Sequence, residues 1–210
     1  MNIAMISAGR RTPLAVRTSV ALILLSAAQF WAPAVTATDD VWALLKNPRH
    51  IVLLRHSNAP QGVSDSNLPE SNDMDLKNCS IQRNLDQEGR AQAARIGDEF
   101  RKRKLSNVRL FSSQYCRALD TARLTKLGPV NQLPLLNQVA YTDLAGMREA
   151  GTKGREFIKK SLAAKQLTIL VSHVTNIQAI ADVKLDSGEM AVVHFNPSGQ
   201  IVVDGKIGVP

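Results

Sequence analysis

Aromatic residues make up only 4% of this 210-residue chain, which carries two cysteines and four histidines. Two cysteines exclude a disulfide-dense mini-fold and any multi-cysteine zinc or iron–sulfur centre. The scarcity of aromatics argues against a surface that stacks nucleobases. Acidic residues are missing from positions 1–37, where the only charges are Arg10, Arg11 and Arg17. Beyond residue 40 there is no internal repeat, no low-complexity tract and no interdomain linker. No later apolar run approaches the roughly 18 residues of a membrane span. What remains is ordinary globular material, 44% hydrophobic and 21% charged. A chain of this length buries a core without staples.

Residues 1–37 read as a leader. An uncharged stretch from Thr18 to Thr38 has a Leu/Ile/Val/Ala centre and reaches the small residues Val35-Thr36-Ala37. A basic start, an apolar middle and a small-residue end make a secretory signal peptide. An uncleaved anchor is the other reading, and Pro33 with the Val-Thr-Ala site favours cleavage. Removal lowers the net charge from +8 to +5. The expectation is a signal peptide over 1–37 and one domain over 38–210, periplasmic or secreted, with no stable membrane insertion after cleavage.

Strand and helix patterns alternate through the rest of the chain. His50 to Leu54 is an apolar run suited to a buried parallel strand. A polar loop follows over 57–83, and loops of that length usually serve function. Ala93, Ile96 and Phe100 mark a helix over 86–104. A strand over 108–112 leads to a helix over 114–127, which Gly128-Pro129 ends. A helix over 148–164, a strand over 167–172, a short helix from Asn176 and a hairpin over 189–195 and 201–203 complete the pattern. This predicts a three-layer α/β/α sandwich around a mostly parallel sheet.

In such sheets ligands gather beyond the carboxyl ends of the strands. Three predicted strands end there on reactive residues: Arg55-His56 in LLRHSNAP, Arg117 in FSSQYCRALDTA and His173 in ILVSHVTNI. Guanidinium forks suit bidentate binding of a tetrahedral oxyanion. A neutral imidazole among them is a nucleophile for phosphorus, and a second imidazole offsets charge on the transferring oxygens. Each piece alone is common; their placement after three separate strands carries the inference. His50 and His194 lie inside strand patterns and receive no role. The basic run at 101–104 closes a helix, where cations suit the helix dipole, so nucleic acid is not an expected partner.

These segments resemble the histidine phosphatases, the phosphoglycerate mutase-like superfamily. LLRHSNAP is similar to the family's Arg-His-Gly motif, and LDQEGRAQAARIG to its leucine-polar-x-x-Gly-x-x-Gln-Ala helix start. SSQYCRALDTA is similar to its Ser-Ser-x-x-x-Arg-Ala-x-x-Thr-Ala segment, and the match runs on through VSHVTNI and SGEMAVVHF to about residue 196. The Cys-x-x-x-Arg-Asn-Leu and Ser-x-x-Cys-Arg segments look like an exported bacterial branch related to lipopolysaccharide-core heptose phosphatases. The resemblance implies His56 as phosphoryl acceptor, with Arg55, Arg117 and His173 forming the phosphate pocket. It implies no metal and no organic cofactor. The implied partner is a small phosphorylated substrate or a cell-envelope phosphosugar; nothing in the pattern specifies an oligomer. A phosphate-binding module of the same fold with little or no catalysis is the alternative.

The chain departs from the family at several points. Ser57 replaces the usual glycine, which is tolerable where that residue's backbone angles are ordinary. Ala59 stands where relatives carry a second arginine, and Arg83 is the candidate replacement. Val174 stands where acid-phosphatase relatives carry the aspartate that donates the leaving-group proton. Asp143 is the chosen proton donor, with Glu149 and Glu189 as other candidates. Cys79 and Cys116 flank Arg83 and Arg117 and either pair in an oxidising compartment or stay as two buried thiols. Pairing would close a loop of about forty residues, worth about 4 kcal/mol by chain entropy.

Overall fold

The run Ile51-Val52-Leu53-Leu54 is buried on both sides, as a central strand requires. Its side chains alternate between two cores. Val52 and Leu54 join Trp42, Ile96, Phe100, Ala118 and Ala122. Ile51 and Leu53 join Leu136, Ile158, Ile177 and Ile180 on the other face. The computed structural model describes residues 37–60 and 76–209. The expected leader, up to residue 36, and residues 61–75 of the expected long loop lie outside the described residues.

Four strands run parallel: β1 (Ile51–Arg55), β2 (Val108–Ser112), β3 (Val130–Gln132) and β4 (Leu167–Ser172). The hairpin of β5 (Met190–Phe195) and β6 (Ile201–Ile207) adds two antiparallel strands beside β1. The order across the sheet is β3-β2-β4-β1-β5-β6. Helices α1 (Ala37–Leu44), α2 (Gln87–Lys102) and α3 (Cys116–Thr125) supply one outer layer. Helices α4 (Leu144–Ser161) and α5 (Val174–Ala181) supply the other. The expected α/β/α sandwich with a mostly parallel sheet is present, as the alternation along β1 demands. Among the described residues no helix is long and apolar enough to cross a membrane.

Several boundaries differ from the sequence pattern, each for a local reason. Helix α1 was not expected; Trp42 buries its ring edge-on to Phe100 with centroids 5.0 Å apart, under the Arg103 guanidinium. Strand β3 is three residues long, too short for a readable period. Helix α4 starts at Leu144 rather than 148, because the Asp143 carboxylate accepts the Gly146 N–H at 2.8 Å and caps it. Helix α5 starts directly after His173. Strand β6 continues through Asp204-Gly205-Lys206 to Ile207, past the expected residue 203. A register shift between Val192 and Val193 lets Gly and Asp, poor strand formers, lie in the sheet. The basic run at 101–104 is met by its own helix, with Arg101 on Asp98 and both Lys102 and Arg103 on Glu99.

Candidate active site

Strands β2, β4 and β1 are neighbours, so their carboxyl ends present one continuous edge. The ladder runs past their last residues: the His56 N–H donates to the Ser172 carbonyl and the Ser113 N–H to the Val171 carbonyl, both at 3.0 Å. Backbone pairing therefore sets His56, Ser113 and His173 side by side. The loop after His56 is held by α2 and α3. The Ser57 N–H donates to Thr121 Oγ1 at 2.9 Å and the Asn58 N–H to Gln92 Oε1 at 3.1 Å. Gly89, in the first turn of α2, lies so close that a Cβ would meet the Asn58 carbonyl oxygen at 2.0 Å. Ser57 is not among the residues with positive φ, so it occupies the glycine position without backbone strain.

His56, His173 and Arg117 are 2%, 1% and 0% exposed. The Arg117 Nε–H points at His56 Nε2 from 3.2 Å, and its NH2 group reaches His173 Nδ1 at 3.2 Å and Gln138 Oε1. The imidazole rings stand edge to face with centroids 5.3 Å apart, and Tyr115 flanks both His173 and Arg117. The hydrogen bonds assign the protons. His56 Nδ1 faces the Ser57 carbonyl at 2.8 Å and must donate to it, which leaves Nε2 with its lone pair. His173 Nδ1 faces a donor, so its Nε2–H donates to Ser113 Oγ at 2.8 Å. The Ser113 hydroxyl then donates to Asn137 Oδ1 at 3.2 Å. Each histidine is thus a neutral, defined tautomer.

Electrostatics point the same way. Burial first, and the Arg117 charge second, hold the His56 imidazole well below its ordinary value. The same two causes, followed by the His56 ring itself, depress His173. Arg55 and Arg83 add to both shifts, so their charges reach the pocket. Arg55 donates to the Leu185 carbonyl at 2.8 Å, and the Gly188 N–H donates back to the Arg55 and His56 carbonyls at 3.2 and 3.1 Å. Gly188 makes that turn at φ +74°, where a side chain would be strained. Burial and Arg83 lower the Arg55 guanidinium, while Asp186 and Tyr141 oppose them.

Cys79 and Cys116 are joined in a disulfide with Cα atoms 5.7 Å apart. Cys116 opens α3, one residue before Arg117, and its N–H donates to Gln82 Oε1 at 2.9 Å. Gln82 Nε2 in turn donates to the Leu76 carbonyl at 2.8 Å. The bond and Gln82 together fasten the segment carrying Arg83 to the start of α3, so that the Arg83 charge acts on both histidines.

Asp143, the expected proton donor, is exposed and its carboxylate caps α4; among the described residues it makes no hydrogen bond to His56, His173 or Arg117. Glu149 pairs with Lys153, and Glu189 binds Lys206 and the Asp186 N–H. The carboxylate that acts on Arg55 is Asp186, on the loop docked against the end of β1. The sequence pattern also missed Gln138, Asn137 and Asn176. Asn176 Nδ2 donates to the Asn137 carbonyl at 2.7 Å and its Oδ1 accepts from the Val139 N–H at 3.2 Å, gripping Gln138 from both sides. Asn176 lay within the VSHVTNI segment; nothing in LPLLNQVA marked Gln138.

A neutral imidazole beside a buried guanidinium, at the carboxyl edge of a parallel sheet, is an arrangement whose chemistry suits a tetrahedral anion. The sequence profile of the histidine phosphatase superfamily (branch 1) matches residues 51–168, more than half of the chain, and the chain belongs to that superfamily. Solved structures share its fold. The protein histidine phosphatase SixA, complexed with tungstate, is similar at TM-score 0.53 and 13% identity, over 76% of this chain and 96% of that one. Mycobacterial glucosyl-3-phosphoglycerate phosphatase, complexed with VO3, gives 0.52 and 15%, over 75% and 98%. The product of an open reading frame from Mycobacterium tuberculosis gives 0.55 and 16%, over 76% and 97%. At such identities the likeness is one of fold. No curated protein matches the sequence.

Proposed function

We propose that this chain is an exported phosphomonoesterase that works through a phosphohistidine on His56. The observation that carries the reading is the His56 tautomer: Nδ1–H is committed to the Ser57 carbonyl, and the bare Nε2 shares its position with the Arg117 fork. Nε2 attacks phosphorus, the bond to the ester oxygen breaks, and that oxygen leaves with a proton. Water then attacks the phosphohistidine, the P–N bond breaks, and phosphate leaves with His56 restored. Arg55, Arg83 and Arg117 oppose the charge on the transferring oxygens, with His173 beside them. The leaving-group proton is assigned to Asp186, an exposed carboxylate whose charge acts on Arg55, ahead of Asp143.

Export is supported by the leader-like composition of 1–37 and by a disulfide suited to an oxidising compartment. A small phosphorylated compound such as a cell-envelope phosphosugar is the fitting substrate class. The test is rapid-quench labelling with a radiolabelled phosphomonoester. The wild type should take up an acid-labile, base-stable phosphoryl group in a burst, and His56→Ala should take up none and turn over nothing. A catalytically active His56→Ala protein would overturn the mechanism, and a wild type that binds phosphate without ever being labelled would mark a binding module. N-terminal sequencing of the protein from a periplasmic fraction tests export.

A further inference from the structure

At the opposite end of β1 from His56, three ligand-type side chains converge from β5, β6 and the residue just before β1. The antiparallel register that pairs Ile51 with Val193 continues to set His50 opposite His194, with ring centroids 5.5 Å apart. On β6, Val192 pairs with Gly205 and Val193 with Val203, which leaves Asp204 as the extra residue of a β-bulge. Bulges re-aim side chains. Here Asp204 Oδ2 comes within 2.7 Å of His194 Nδ1 and 3.6 Å of His50 Nε2. One donor atom from each of the three residues lies within 4.8 Å of the others.

We propose that His50, His194 and Asp204 form a binding site for one divalent ion of the zinc class, bracing β1, β5 and β6. Two imidazoles and a carboxylate suit such an ion, whereas magnesium and calcium call for oxygen donors. A tetrahedral ion with bonds of about 2.0–2.1 Å holds its ligands roughly 3.3 Å apart. The two separations to Asp204, 2.7 and 3.6 Å, lie on either side of that value, and all three donor atoms lie within 4.8 Å of one another, so closure draws the two imidazoles together about the carboxylate. His50 Nδ1 is buried with no hydrogen-bond partner among the described residues, so no other bond fixes the ring against turning to a metal. The His194 and Asp204 side chains are 31% and 18% exposed, which leaves water access for a fourth ligand. The six-residue separation between His50 and His56 spans about 20 Å of extended chain, so the ion takes no part in the phosphate chemistry.

The full chain, prepared without a polyhistidine tag and stripped with chelator, is dialysed against Zn(II) alone and its metal measured. One zinc per chain is expected, with a raised Tm and, for Co(II), the visible d–d bands of a tetrahedral site. His194→Ala and the near-isosteric Asp204→Asn should each lose the zinc and the Tm shift while phosphatase turnover stays unchanged. Mg(II) should produce neither effect. Absence of stoichiometric zinc in the wild type, or its retention in a folded His194→Ala/Asp204→Asn double variant, would overturn the proposal.

Discussion

The Nε–H of Arg117 meets Nε2 of His56 at 3.2 Å, with both groups almost wholly removed from water. The guanidinium holds the ring in place and depresses its proton affinity, and it is itself a natural partner for an incoming phosphoryl oxygen. In the proposed mechanism nucleophile and anion binder are therefore one unit, and loss of either should disable the site.

Arg117→Lys keeps the charge and loses the planar fork. Charge-assisted hydrogen bonds are worth roughly 1.5–3 kcal/mol each, so loss of one should lower kcat/KM for an aryl phosphate about 10- to 100-fold. Steady-state kinetics on a variant with wild-type circular dichroism checks this. A drop of less than tenfold would show that charge, without geometry, suffices.

The proton donor is tested by leaving-group dependence. Asp186→Asn should slow an alkyl phosphate far more than p-nitrophenyl phosphate, whose leaving oxygen needs no proton. General acid–base groups contribute about 10²–10⁴-fold, so an alkyl-selective loss in that range is expected. Asp143→Asn should leave the ratio of the two substrates unchanged and lower only stability, by about 1 kcal/mol for a weakened helix cap.

The depressed histidines make stability depend on pH. His56 and His173 stay neutral in the folded chain well below the pH at which they protonate when unfolded. The unfolded state therefore binds more protons as pH falls below about 6.5, and stability present above that value is lost on the way down. Denaturant titration at pH 7.5 and pH 5 should show the loss, and His173→Gln should reduce it. A wild type equally stable at both would refute the assigned protonation.

Removing the disulfide should cost stability and weaken substrate binding together. A 37-residue separation corresponds to about 4 kcal/mol by chain entropy. Cys79→Ser/Cys116→Ser should fall by up to that amount in urea. Its KM should rise, because the segment bearing Arg83 loses its tether to α3. An unchanged KM would mean that Arg83 acts without that anchorage.

The candidate site was legible because its residues sit in local patterns. Apolar runs such as Ile51–Leu54 and Leu167–Val171 state a buried parallel strand, and the residues that follow them must emerge at the sheet edge. That logic located Arg55, His56, Arg117 and His173 and the α/β/α order. It failed where a residue's task is defined by a distant partner. Asp143 looks like any polar-turn carboxylate until Gly146 is seen under it. Gln138 carries no signal until Arg117 arrives from another helix. His50 and His194, 144 positions apart, acquire meaning only when strand register and a bulge bring Asp204 between them.

By itself, then, the sequence determined which side chains end which strands, since periodicity and punctuation are properties of neighbouring residues. Tertiary structure decided the rest. It chose the tautomers of His56 and His173, tied Cys79 to Cys116 at the start of α3, engaged Asp143 in a helix cap and brought the Asp186 charge to bear on Arg55. Hydrogen bonds and charge interactions depend on separations of a few ångströms, and those separations exist only after elements remote in the chain have packed.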